Sequence, residues 1–352
     1  MMTDPSTREE AVLSAVEARR EYVNDAIPEE LPIKRPERLY EASRYLLDAG
    51  GKRLRPTVLL AVGEALTDVD GLTDDVDYRE FADVDGEPVD LMAAGVSVEV
   101  IQSFTLIHDD IMDDDELRRG VPAVHEEFGL DTAILAGDTL YSKAFEILLE
   151  TGAPAERSVD ALHMLASTCT KICEGQSLDV AFEQRGDVVP DEYMEMIEHK
   201  TAVLYAASAA LGGIVLGADD ETVDALYGYG LDVGRAFQIQ DDVLDLTVPS
   251  ETLGKQRGSD LVENKQTLIT VHAREHGVDV DALVETDDVE AVTEAEIDDA
   301  VDRLHAAGSI EYANQTARDL VEQGKDRLQR LPENDARRLL EDLADYLIER
   351  EY

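Results

Sequence analysis

Apolar positions recur every three or four residues along most of the chain, and no strict alternation is sustained over several elements. That periodicity predicts helices nearly throughout and gives an all-α bundle as the expected fold class. Amphipathic helices are expected over 6–27 and 36–49, separated by IPEELPIKRP. The second ends in Ala49-Gly50-Gly51, a helix stop. An apolar helix follows from Thr57 to about Leu66. A central one carries Val98, Val100, Ile101, Phe104, Leu106 and Ile107. Further helices are expected over 131–150, 157–184, 190–217, 219–246 and 266–276, with others beyond 294. Two acidic, glycine-punctuated, aperiodic stretches near 67–90 and 277–293 predict exposed loops. There is no repeat of 20–50 residues.

One helical stretch changes meaning with its composition. Thr201 to Ala218 carries no charge and is rich in alanine and glycine. It sits at the short limit for crossing a bilayer, and its small residues suit close packing inside a soluble bundle, so it reads as a core helix and no membrane span is expected. The N-terminus, MMTDPSTREEAV, lacks the basic and apolar segments of a secretion signal, which points to a cytoplasmic protein. Cys169 and Cys173, one turn apart with no further cysteine, read as buried thiols of a reducing compartment.

Charge narrows the partners. With 79 acidic against 31 basic residues the net charge is −48, so nucleic acid is excluded as a partner. An apolar fraction of 44% argues against disorder. A carboxylate-rich surface of this density suits a salt-loving organism, since at about 1 M salt the screening length falls to about 3 Å and self-repulsion fades. Only eight lysines remain: Lys34, Lys52, Lys143, Lys171, Lys200, Lys255, Lys265 and Lys325. In so anionic a chain, an anionic ligand needs local cations and bound metal.

The candidate chemistry is acidic. The central helix leads into Asp109, Asp110 and Asp113, spaced so that their carboxylates can converge at the end of one helical face. Oxygen donors of that kind suit Mg²⁺ or Mn²⁺. Composition tempers the signal. At 42 aspartates in 352 residues, D-D-x-x-D is expected about 0.6 times by chance, and it occurs three times, at Asp109, Asp241 and Asp298. Context separates them: LIHDD and FQIQDD end apolar approaches, whereas DDAVD at Asp298 lies among other acids with only Arg303 as a basic neighbour. Basic groups complete the picture. Arg118 and Arg119 carry planar forks suited to phosphate, and GGKRLRP places Lys52 and Arg55 at a glycine-rich helix junction.

Together GGKRLRP, LIHDDIMDDDELRRG, KTAVL, FQIQDDVLD and GKQRGSDLVENKQT resemble, in this order, the trans-isoprenyl diphosphate synthases, from about Tyr40 to Leu268. Within that family the chain most resembles the archaeal geranylgeranyl diphosphate type. The resemblance implies one synthase domain over 1–352, built of long helices around a deep central cavity, and a homodimer. It implies two or three Mg²⁺ ions shared by Asp109, Asp110, Asp113, Asp241, Asp242 and Asp245 around an allylic diphosphate. Arg118, Lys200, Lys255 and Lys265 would contact that diphosphate. Lys52, Arg55, Gln102 and Arg119 would hold isopentenyl diphosphate. Thr201 and Gln238 would face the developing cation. Phe104, beside Thr105, would form the floor that limits the product to about C20.

The resemblance has departures. Ser259 stands where some relatives carry lysine and receives no role, and Asp114 and Asp115 blur the metal register. His108 and His199 read as structural. The alternatives are a farnesyl or C25 synthase, a class I terpene cyclase, a non-catalytic binding subunit and an acidic calcium-binding protein. A cyclase would lack GGKRLRP; a non-catalytic subunit would have lost metal ligands; a calcium protein would need loop-spaced oxygens with a bend glycine. The charge excess itself carries an expectation: helical circular dichroism should persist in molar salt and fall as salt is removed, and full structure at low salt would refute the salt-adapted reading.

Overall fold

The computed structural model describes residues 5–69, 71, 76–182, 185–250, 256–286, 288–289 and 291–349. The expected all-α class holds. In chain order the helices are α1 (Pro5–Glu30), α2 (Glu37–Asp48), α3 (Leu54–Thr67), α4 (Leu91–Met112), α5 (Val124–Phe128), α6 (Leu130–Leu148), α7 (Ala155–Phe182) and α8 (Pro190–Ile197). There follow α9 (Val203–Leu216), α10 (Asp220–Thr247), α11 (Ser259–Val262), α12 (Leu268–Glu275), α13 (Glu294–Ala306), α14 (Ser309–Arg327) and α15 (Asp335–Glu349). Most spans match the periodicity to within a few residues.

The chain sorts into two compact units: Met1–Cys169 with Ala207–Tyr227 and Leu328–Asp342, and Thr170–Ala206 with Gly228–Arg327 and Leu343–Tyr352. In the first, α4 packs against α3 and α6. Every residue of α4 from Leu91 to Ile101 is buried, so its first half is hydrophobic all round, as a core helix must be. Asp90 caps it, accepting the Ala93 N–H at 2.7 Å. Toward its end one face opens, and the aspartate motif lies there.

The acidic stretch before α4 differs from the exposed loop expected of it. Its described residues 76–90 include a small hairpin, β1 (Phe81–Ala82) against β2 (Pro88–Val89). Tyr78, Phe81 and Val89 are buried. The Tyr78 hydroxyl donates to Glu64 at 2.6 Å, and Asp83 accepts the N–H groups of Asp85 and Glu87 while pairing with Arg157 at 2.6 Å. Three apolar side chains among the acids provide the driving force, a signal that the lack of periodicity hid.

In the second unit, α8 and α9 are joined by a π-helical turn, Glu198–Ala202, where a continuous helix was expected. Such turns concentrate at functional sites. This one carries Lys200 and Thr201, and glycines let other backbones approach it. A Cβ on Gly175 would lie 2.2 Å from the Lys200 nitrogen, and one on Gly234 would lie 2.6 Å from the Ala202 Cα.

Two stretches, Leu91–Met112 and Pro190–Leu216, are apolar enough to cross a membrane by length and composition alone, yet 72% and 78% of their apolar windows are buried within the protein. They are core helices, as expected for Thr201 to Ala218. Cys169 is buried, but Cys173, one turn later on α7, is exposed, which corrects the expectation of two buried thiols.

The close approach at Gly234 is testable. Alanine is the better helix former by about 1 kcal/mol, but overpacking against backbone costs about 1–3 kcal/mol. Gly234→Ala should therefore lower the denaturant midpoint; a raised midpoint would show that the contact is slack.

Candidate active site

In the first unit the aspartate motif closes α4. Asp109 and Asp110 lie in its last turn, and Asp113 is its C-cap, with its N–H bonded to the Asp109 carbonyl at 2.9 Å. The chain then makes a two-residue hairpin, β3 (Leu117–Arg118) against β4 (Val121–Pro122). Both turn residues, Arg119 and Gly120, have positive φ (55° and 78°), the pair that matches strand twist in tight hairpins. This hairpin folds Arg118 back onto the motif. Arg118 Nε donates to Asp110 Oδ1 at 2.6 Å, and its Nη2 contacts Asp115 at 2.7 Å.

Asp110 is fully buried, and its second oxygen, Oδ2, has no hydrogen-bond partner. Burial pushes its carboxyl up, against the opposing pull of Arg118. A buried carboxylate oxygen left open in an all-oxygen donor set fits a hard cation. The three motif carboxylates do not already share one point. Among the described residues no three acidic, histidine or thiol groups form a ready cage. Helical spacing suggested convergence; the Asp110 carboxylate instead turns to Arg118.

The basic motif lies in the same unit. Gly50 and Gly51 have φ of 101° and 141°, which only glycine adopts freely. Lys52 is exposed and Arg55 half-buried, while Arg53 between them is buried. Arg53, given no part in the sequence reading, donates to Glu99 at 2.6 Å, Leu47 O at 2.5 Å and Asn24 at 3.0 Å. Arg119 donates to Leu46 O at 2.8 Å and to Gly50 O. Burial lowers the Arg119 pKa; Glu99 opposes, and the nearby cations Arg53, Arg118 and Arg55 add to the lowering. Gln102 is half-buried. The Thr105 hydroxyl donates to its carbonyl at 2.8 Å.

Phe104 lies edge-on to His108 (centroids 5.0 Å apart) and to Tyr141 (5.3 Å), and Tyr141 continues to Phe145 (5.2 Å). The α6 face that it meets supplies an aromatic row. His108 is structural as expected: its ring reaches Ile134 O at 3.3 Å over Gly137, where a Cβ would meet it at 2.3 Å.

The second unit holds the other set around a cavity of about 110 Å³, lined by Asp179, Tyr193, Lys200, Thr201, Asp242 and Lys265 among others. A chain of hydrogen bonds crosses it. Thr201 donates to Gln238 at 2.9 Å, Gln238 to Asp242 Oδ1 at 3.0 Å, and Tyr193 to Asp242 Oδ2 at 2.6 Å. Burial, reinforced by Asp260, holds the Asp242 carboxyl well above the usual range. Lys200 pairs with Asp179 at 2.5 Å and Lys265 with Glu263 at 3.1 Å. Glu174 lies 3.7 Å from His199 in the π turn. Asp241 is half-buried at the head of the motif. Asp245 accepts Ser259 Oγ at 2.9 Å and the Asp260 N–H at 3.2 Å, so Ser259 has a part that the sequence did not assign it, bracing a motif aspartate. Lys255 lies outside the described residues.

Tyr193, Asp179 and Asp260 were missed from sequence. Asp179 stands four residues after Gly175 in GQSLD, and Asp260 directly follows Ser259, so position near known elements was the available signal. The third motif is surface, as expected: Asp298, Asp299 and Asp302 are exposed on α13. The partner expected for it is corrected. Arg257 pairs with Asp298 at 2.8 Å, while Arg303 turns to the Ala282 carbonyl at 2.9 Å, satisfying the backbone of the preceding loop.

Residues 36–304 match the polyprenyl synthetase family. The geranylfarnesyl diphosphate synthase of Natronomonas pharaonis is 66% identical over 98% of this chain and 100% of that protein. The solved geranylgeranyl pyrophosphate synthetase of Geoglobus acetivorans superposes with a TM-score of 0.83 at 42% identity, covering 95% of this chain and 99% of that one. A polyprenyl synthase from Caulobacter crescentus, solved with calcium and isoprenyl diphosphate, superposes with a TM-score of 0.81 at 31% identity over 98% of each chain.

Proposed function

The chain belongs to the polyprenyl synthetase family and is a trans-prenyltransferase acting on isoprenoid diphosphates, and we propose that its main product is geranylgeranyl diphosphate. The observation that carries the C20 reading is the aromatic row on which Phe104 rests, five residues before the first motif aspartate. In this family the bulky residue at that position is the floor of the tunnel that receives the growing chain. A C25 product is the second reading, favoured by the 66% identity to a geranylfarnesyl synthase.

The family is metal-dependent. Asp109, Asp110, Asp113, Asp241, Asp242 and Asp245 would hold Mg²⁺, two or three ions as the family resemblance implies, and the metal would supply neutralisation of the charge on the leaving diphosphate. Asp110 fits this part through its open buried oxygen. Arg118, Lys200, Lys255 and Lys265 bind the allylic diphosphate; Lys200 pairs with Asp179 and Arg118 with Asp110. The allylic C–O bond ionises, and the Thr201 and Gln238 oxygens orient toward the cation, their positions fixed by the bond between them. Isopentenyl diphosphate, held by Lys52, Arg55, Gln102 and Arg119, attacks through its double bond. One proton is lost, and the departing diphosphate is the base at hand.

The exposed apolar residues of α6 (Leu130, Ile134, Leu135 and Tyr141) support a homodimer. We assign the whole chain to one synthase domain working in the cytoplasm at high salt. A class I cyclase is disfavoured by the GGKRLRP motif and the intact second D-D-x-x-D.

Asp109→Asn and Asp241→Asn should each cut the rate about a hundredfold or more without unfolding the protein, because single groups stabilising leaving-group charge are worth about 3 kcal/mol. Asp298→Asn/Asp302→Asn is the surface control and should stay within about twofold. Retention of over a tenth of the activity by either motif variant would refute the two-motif mechanism.

The product assignment is tested by incubating the enzyme in molar salt with Mg²⁺, dimethylallyl diphosphate and labelled isopentenyl diphosphate, then sizing the chains. A C20 main product is expected, and Phe104→Ala should lengthen it, since loss of the ring frees space that five further carbons would occupy. A C25 main product in the parent selects the second reading. Identical distributions from the parent and Phe104→Ala would put the floor elsewhere, and failure to consume isopentenyl diphosphate would sink the synthase mechanism.

A further inference from the structure

Beneath the basic motif lies a charge cluster to which no role has been given. Glu99 is 3% exposed on α4, three residues before Gln102, inside a run of buried apolar positions. Its carboxylate pairs with Arg53 at 2.6 Å and lies 3.8 Å from Arg119. Both guanidiniums also reach the end of α2: Arg53 donates to Leu47 O, and Arg119 to Leu46 O and Gly50 O. The last carbonyls of a helix lack intrahelical partners and carry its negative end, so two cations there are met by dipole as well as by carboxylate. The Arg119 guanidinium lies flat on Gly51, where a Cβ would come within 3.0 Å of its Cζ. Arg53 adopts a left-handed φ of 53° directly before α3, in the turn that presents Lys52 and Arg55.

We propose that Glu99, through its ion pair with Arg53 and its proximity to Arg119, is the positioning residue of the isopentenyl diphosphate site, fixing the Gly50–Arg55 turn and the Arg119 fork before substrate binds. This rests on the assignment of Lys52, Arg55, Gln102 and Arg119 to that substrate. Four arginines gather here, Arg53, Arg55, Arg118 and Arg119, and each repels the rest. A multiply charged anion would neutralise them once bound. Until then one buried carboxylate and the α2 carbonyls hold Arg53 and Arg119 in place. A guanidinium fork binds phosphate well only when its plane is already set, because the ordering cost is otherwise met at binding. Glu99 touches no substrate on this assignment, and its effect runs through Arg53, Arg119 and the turn.

The decisive variants separate placement from stability. Glu99→Gln keeps the shape and removes the charge. Removing one partner of a buried pair leaves an uncompensated charge, whereas replacing both by apolar residues is often neutral to folding, so Arg53→Met/Glu99→Leu serves as the second variant. Arg55→Ala serves as the reference for the site itself. Steady-state kinetics in molar salt would read KM for isopentenyl diphosphate, KM for the allylic substrate and kcat, with circular dichroism as the check on folding. Both Glu99 variants should raise KM for isopentenyl diphosphate by about tenfold or more, leaving the allylic KM within about twofold. If Arg55→Ala raises that KM and neither Glu99 variant does, the inference fails while the substrate assignment stands. If Arg55→Ala also leaves it unchanged, the assignment fails and takes the inference with it. Unfolding of both Glu99 variants, or equal rises in both KM values, would make the cluster a general brace and overturn the proposal.

Discussion

The structure depends on how a buried carboxylate is met. Moving a charged oxygen out of water is unfavourable unless a donor or a cation replaces the lost hydration. In a chain of charge −48, cations are scarce, so those that are buried mark where the fold or the chemistry needs them. Glu64 is met by Arg19 and Tyr78, Glu99 by Arg53, and Asp110 by Arg118 on one oxygen only. Asp242 accepts from the neutral donors Tyr193 and Gln238, and Asp245 accepts from Ser259 and the Asp260 backbone among its partners. Glu64 and Glu99 have full charge partners, whereas the buried Asp110 keeps one oxygen open, a setting that fits a hard cation.

Backbone geometry serves the same end. Lys200 and Thr201 lie on a π turn, and the approach of other backbones to that turn is possible because Gly175 and Gly234 lack a Cβ. On the other unit, Arg119 takes a left-handed conformation in a two-residue hairpin, and Arg53 does so before α3. A non-glycine residue in that region costs on the order of 1–2 kcal/mol. The hydrogen bonds of their own guanidiniums hold each in place.

Periodicity carried the amphipathic helices because each buries one stripe, whereas α3, α9 and the first half of α4 are buried nearly all round. The apolar approach that singled out the first two aspartate motifs sets them apart from Asp298, which is exposed on α13. Sequence could not show contacts made at long range. Tyr193 reaches Asp242 across 49 positions and Arg53 reaches Glu99 across 46, so neither pairing leaves a local pattern. Glu99 did leave one trace, a lone acid inside VEVIQ, where a helix buried all round admits a charge only with a partner. The hairpin after the first motif was half-visible in RRG, since a glycine at the second turn position permits it, but the left-handed arginine beside it breaks the usual preference.

Chain length is the property least accessible to sequence, and the reason is geometric. On an ideal helix Phe104 stands roughly 140° around from Asp109, so the residue proposed as the floor and the first metal ligand face different neighbours. What surrounds Phe104 is set by α6, through Tyr141, together with His108 one turn on in α4. On the C20 reading, length is a joint property of two helices, and a substitution on either can reset it. Overall identity to a C25 synthase then weighs less than the few side chains around that ring. Two enzymes can agree at 66% of positions and still differ where five carbons must fit.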